Sequence, residues 1–137
     1  MMPHNEIGTK EDLARYRIDM AKNTLKSAIA LRDIGDYRGA NNRAYYAIYH
    51  AISAVHALDG KAYKKHKDAL SNFNKNYVNE GTFPKKYGRQ INTAESIRHA
   101  SDYDDFYIAA KQDVVQMIET ATELIDLIKE YCSKETN

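Results

Sequence analysis

Arg43 and His50 are the two side chains of this 137-residue chain whose types and spacing most readily suggest chemistry. They stand seven apart in a segment that reads as helix. Seven steps of about 100° return two side chains to within roughly 20° of each other, two turns apart. Gly39, Tyr46 and Ala54 share that edge. Arg presents a fixed fork of donors to a phosphate and never loses its charge. His takes or gives a proton near neutral pH. Together they meet the minimum for cutting RNA without a metal: the imidazole deprotonates the 2′-hydroxyl or protonates the leaving oxygen, and the guanidinium stabilises the charge gathering on the phosphorus oxygens. The same spacing on any helix also describes a surface Arg and a packed His. Tyr46, one turn from both, could orient either or simply pack.

Other chemistries find less support. His4, His56, His66 and His99 form no HExxH pair and no Cys/His cluster, so no metal site is expected. There is no phosphate-binding glycine loop and no GxSxG elbow, and no cofactor is expected. Cys132 is the one cysteine, which excludes an internal disulfide and a Cys-rich zinc site. His56 shares a different face with Tyr45 and Tyr49 and reads as structural. His66 lies among lysines, where it could touch RNA phosphate or simply be exposed. Arg98 precedes Asp102 by four residues, a spacing that braces a helix.

The elements that must position these groups are helices throughout. Apolar residues recur at spacings of three and four, and no run alternates with period two. The first helix starts near Thr9, where Asp12 follows at the capping-box distance, and stops at Gly35. Its apolar positions are Leu13, Tyr16, Met20, Ala28 and Leu31. Asp36 caps a second helix over about residues 37–58, so the first two helices form a tight antiparallel hairpin. The second carries a stripe of Ala40, Ala44, Ala47, Ala51, Val55 and Leu58, small enough for a neighbour to approach closely, and reads as the central helix. A third helix is expected over residues 65–78 (Leu70, Phe73, Tyr77 inward) and a fourth over about 85–100 (Tyr87, Ile91, Ala94, Ile97). After a turn at 101–105, the last runs over about 106–131, with Asp104 and Asp105 at its positive end. The expected fold is all-α, an up-and-down bundle of four to five helices in one domain over residues 1–137, its core spanning about 9–131.

Composition narrows the class. Apolar residues make up 43% and charged residues 28%, which argues against wholesale disorder. No stretch reaches the roughly 18 apolar residues of a membrane span, and residues 1–6 lack the apolar core of a signal peptide. A soluble, cytoplasmic protein is the default expectation. The net charge of +1 hides an asymmetry: residues 61–89 hold eight Lys or Arg against two acidic residues, whereas residues 90–137 hold four against ten. Lys64, Lys65 and Lys67 are the RNA-binding candidates of this basic island, which also suits an ordinary solvated face. Eleven Tyr, three Phe and no Trp suit an interface as well as a thin helical core.

The run Asn42-Arg43-Ala44-Tyr45-Tyr46-Ala47-Ile48-Tyr49-His50-Ala51 resembles the second-helix segment of the HEPN family. The long first helix, the Gly-Asp turn and the Arg98-x3-Asp102-Tyr103 stretch are similar too, so the likeness spans roughly residues 10–131. The resemblance implies a helical bundle that dimerises. It also implies a metal-independent endoribonuclease whose Arg-x6-His motifs meet across a homodimer cleft, with Arg43 on the scissile phosphate and His50 in proton transfer. Asn42 and Tyr46 would support them. Small prokaryotic members are often toxins paired with a nucleotidyltransferase antitoxin. Ala44 stands where active members commonly carry a polar residue, and Ile52 where the toxin branch often carries Tyr. The alternative is therefore a non-catalytic module that binds a nucleotide or a nucleotidyltransferase partner.

Overall fold

The structure is a computed structural model that describes residues 8–135. The expectation about residues 1–6 lies outside them, as does His4. Five α-helices follow one another: α1 (Lys10–Asp33), α2 (Tyr37–Leu58), α3 (His66–Phe73), α4 (Lys86–Tyr103) and α5 (Lys111–Glu135). A π-helical segment, Asn74–Val78, continues α3. The all-α bundle expected from the sequence is what forms. Among the described residues no helix is long and apolar enough to cross a membrane.

Local signals set the first two helices. Thr9 Oγ1 accepts the Asp12 N–H at 3.0 Å, and Asp36 Oδ1 accepts the Gly39 N–H at 2.9 Å. Each cap satisfies one of the N–H groups a helix start leaves unpaired. Gly35 takes φ +85 and Gly60 φ +76, the left-handed conformation that L side chains resist. The N–H three residues past each helix end then bonds back across the turn, Asp36 to the Leu31 carbonyl (2.9 Å) and Lys61 to the His56 carbonyl (2.7 Å).

The second helix is the centre of the bundle and touches α1, α3, α4 and α5. Residues 51–57 are buried without a break. The expected stripe is there: Ala40, Ala44, Ala47, Ala51 and Val55 are fully buried. The first helix meets it with Ala14, Ile18, Ala21 and Ala28. This corrects the apolar face read from the sequence. Leu13 and Tyr16 are 42% and 61% exposed, because close approach to an alanine seam admits small side chains and turns large ones outward.

The far half departs from expectation in its boundaries. The fourth helix continues through Tyr103, and α5 begins only at Lys111. Asp104 and Asp105 therefore lie too far out to act on the α5 dipole, and Asp113 occupies its first turn. The cause is Arg38 on α2. Its guanidinium donates to the carbonyls of Ser101 and Tyr107 (2.7 Å for the latter) and lies 5.8 Å from the Tyr107 ring centroid. That clamp holds the connection off the helical path. At the other end of α2, Asp59 accepts the hydroxyls of Tyr77 and Tyr131, tying α2, the π segment and α5 together.

His56 makes the bundle sensitive to acid. It is 3% exposed and packs its ring beside Tyr63, Phe73 and Tyr77. Burial, with the charge of Lys61 adding, lowers its pKa to about 4, against ~6.5 in an unfolded chain. Between those values the unfolded chain binds a proton that the folded one refuses. Stability is therefore whole above about pH 6.5 and falls as pH drops toward 4, by about 3 kcal/mol in all. Urea unfolding at about pH 7 and pH 4 should show this loss, and His56→Phe should remove most of it. An equally steep loss in that variant would rule His56 out as the cause.

Candidate functional site

Near the middle of α2 three side chains share one edge, as the spacing requires. The Arg43 guanidinium carbon lies 5.4 Å from the Tyr46 ring centroid, and the Tyr46 ring lies 6.4 Å from the His50 imidazole. Tyr46 thus stands between the two candidate catalytic groups and packs against both. Arg43 is exposed, and His50 is partly buried.

The Arg43 fork is held from behind. Its Nη2 donates to Asn42 Oδ1 at 3.1 Å. Asn42 Nδ2 donates in turn to Asp102 Oδ1 at 3.3 Å. Asp102 pairs with Arg98 at 3.0 Å, the brace its spacing suggested, and Arg98 Nη2 donates to the Tyr46 hydroxyl at 3.2 Å. The result is a closed polar circuit from α2 through α4 and back. Its two guanidiniums both lie against Tyr46, at 5.4 Å for Arg43 and 5.8 Å for Arg98. Asn42 and Tyr46, read from the sequence as supporting residues, are the two links that join it to Arg43.

His66 is the group that the sequence did not place here. It opens α3, and the reversal after Asp59-Gly60 returns the chain along α2. Its imidazole stacks on Tyr49 with centroids 3.9 Å apart and meets Tyr46 edge-on at 5.6 Å. Tyr49 also contacts His50 at 6.0 Å. The two imidazoles are thus one aromatic ring apart. A histidine in a basic stretch just past a chain reversal was the only signal available. Sixteen residues separate it from His50, so no helical spacing could relate them.

Burial disfavours the charged form of both imidazoles. Burial lowers the His50 pKa, and Arg17, Arg43 and His66 push the same way. Burial also lowers that of His66; Arg98 adds to the effect, and Glu95 opposes it. A histidine whose charged form is disfavoured suits the role of proton acceptor, as at His50. Burial pushes the Tyr45 hydroxyl up to about 12 and the Cys132 thiol up to about 11, so neither supplies an anion.

The lysines lie at the edge. Lys64, Lys65 and Lys67 flank His66 and are all exposed. Lys67 also lines an open groove of about 390 Å³ between α3 and α4, with Lys75, Asn74, Asn92 and Glu95. Among the described residues no group of three or more His, Cys, Asp or Glu could hold a metal ion.

A family model described as the HEPN domain matches residues 14–131, nearly the whole chain. The chain belongs to the HEPN domain family. Individual relatives are similar over most of their length. The chain is 32% identical over 112 residues to MJ0605 of Methanocaldococcus jannaschii, named as a toxin candidate, covering 82% of this chain and 83% of that one. It is 28% identical over 120 residues to a UPF0332 protein of Thermotoga maritima, covering 88% and 91%. The solved structure of TT1696 from Thermus thermophilus has the same fold, with TM-score 0.71 and 18% identity, over 85% of this chain and 96% of that one. In this HEPN chain the Arg-x6-His pair lies on the edge of α2 that also carries the polar circuit.

Proposed function

We propose that this HEPN protein is an endoribonuclease that needs no metal, with Arg43 and His50 as its catalytic pair. The observation that carries this is the Arg43–Tyr46–His50 edge: an exposed fork, held in aim by Asn42, beside a neutral imidazole. Arg43 would grip the scissile phosphate and stabilise the charge that builds on its oxygens. His50 would transfer the proton of the 2′-hydroxyl or of the leaving oxygen. Lys64, Lys65 and Lys67 would hold the flanking phosphates. A homodimer would bring two such edges into one cleft. The name of the Methanocaldococcus relative supports a toxin role; a nucleotidyltransferase antitoxin would be its partner.

The decisive assay is cleavage of RNA in EDTA by the purified protein and by His50→Ala prepared identically. Cleavage by the wild type that vanishes in the variant is the expected result. Equal cleavage by both would remove His50 from the reaction. Absence of cleavage by a folded, dimeric wild type would favour the second reading, a nucleotide- or nucleotidyltransferase-binding module. One feature supports that reading: Phe106 and Ile108, 92% and 86% exposed beside Asp104 and Asp105, form a surface suited to a protein partner.

A further inference from the structure

Cleaving RNA through its 2′-hydroxyl takes two proton transfers. A base removes the 2′-hydroxyl proton as the 2′-oxygen bonds to phosphorus. An acid protonates the 5′-oxygen as its bond to phosphorus breaks. The products are a 2′,3′-cyclic phosphate and a free 5′-hydroxyl. His50 alone can fill only one of these roles at a time.

We infer that His66, within the same chain, is the general acid of this site and His50 its base. The assignment rests on the ribonuclease reading above. Both imidazoles pack on the same two tyrosine rings, Tyr46 and Tyr49, so both belong to one aromatic cluster beside Arg43. Their surroundings divide the roles. The charged groups facing His50 are all cationic or can become so: Arg17 from α1, Arg43 from α2 and His66 from α3. Such a setting disfavours imidazolium and suits a base. His66 faces Arg98 but also Glu95, both from α4, with Tyr45, Tyr46 and Tyr49 from α2 completing its surroundings. Among the described residues Glu95 is the carboxylate that acts on His66, and it favours the protonated form that an acid must carry. Burial and the charge of Arg98 outweigh it and lower the pKa, so the working range lies on the acid side of neutrality. His66 is only partly buried and keeps access to solvent for recharging.

The test compares two substrates in EDTA: an oligoribonucleotide, and the same oligomer with sulfur in place of the bridging 5′-oxygen at one linkage. A thiolate leaves without a proton, so the sulfur substrate needs no acid. His66→Ala should lose about 10²–10⁴-fold in kcat/KM on the ordinary linkage and most of that deficit should vanish on the sulfur linkage. His50→Ala should be slow on both. The wild-type pH profile should be a bell whose alkaline limb disappears in His66→Ala. His66→Gln, which fills the stacking position on Tyr49, should behave like His66→Ala. Equal losses on both substrates would make His66 a packing residue and overturn the assignment. Wild-type rates in His66→Ala would overturn it too and leave the acid to another group, such as His50 of a second copy. Failure of the wild type on both substrates would remove the ribonuclease reading itself.

Discussion

Arg43→Lys is expected to lower metal-independent RNA cleavage by about 10²–10³-fold, although it keeps the positive charge. The reason is geometric. Arg43 shares its fork between Asn42, which accepts from Nη2, and the solvent side, where a phosphate would sit. Its planar face lies against the Tyr46 ring. A lysine ammonium has neither the plane to stack nor the fork to bond two phosphate oxygens. The loss should fall on kcat more than on KM, since charge attraction survives. The salt dependence of KM should therefore match the wild type. Arg43→Ala should lose activity at least as heavily and flatten the salt dependence as well. If Arg43→Lys cleaves within threefold of the wild type, the guanidinium is only one charge among several and the site lies elsewhere.

The largest effect on stability is expected from Phe73→Ala, about 3–5 kcal/mol. Phe73 is fully buried where α3 passes into the π segment. It stacks on Tyr77 at 5.4 Å and meets Phe83 at 5.2 Å. Removing the ring leaves a hole bounded by bulky neighbours that are themselves tied down, Tyr77 by its bond to Asp59. Collapse into the hole is therefore limited, which favours the upper end of the range. Thermal unfolding should show a Tm lower by something on the order of 10–20 °C. Phe73→Leu, which keeps most of the volume, should cost less than about 1.5 kcal/mol. Similar losses in both variants would mean that ring stacking, not cavity formation, dominates here.

What could be read from the sequence follows the range of the forces involved. The limits of α2 were legible to the residue because Asp36 at one end and Asp59-Gly60 at the other act within a few positions. The inward faces of α3 and α4 were legible for a similar reason, since periodicity along one helix marks them. The first half of the α1 face was misread because its partner decides it, whereas Ala28 and Leu31 pack inward as expected. Only the alanine seam of α2, packed alongside, determines that Ala14 and Ala21 go inward while Leu13 and Tyr16 stay out. The start of α5 was misread because Arg38 acts across 69 residues on the Tyr107 carbonyl. The site divides the same way. Arg43, Tyr46 and His50 lie on one helix and their relation is arithmetic. The closing of the circuit through Asn42–Asp102 and Arg98–Tyr46 needs α4 docked, although the Arg98–Asp102 pair within α4 was visible in its spacing. His66 needs the reversal after α2, and no local pattern announces it.

The circuit around Tyr46 also sets an order of events during synthesis. Arg43, Tyr46 and His50 leave the ribosome early, on the hairpin of α1 and α2. The residues that aim and brace them, Asp102 and Arg98, are made last but one among the helices, and α5, which packs on the same central helix, comes after them. A nascent chain therefore displays the candidate pair before it owns the frame that holds the fork in place. Translation itself delays completion of the site until nearly the whole polypeptide has emerged, and the ribosome's own RNA is the nearest RNA during that interval.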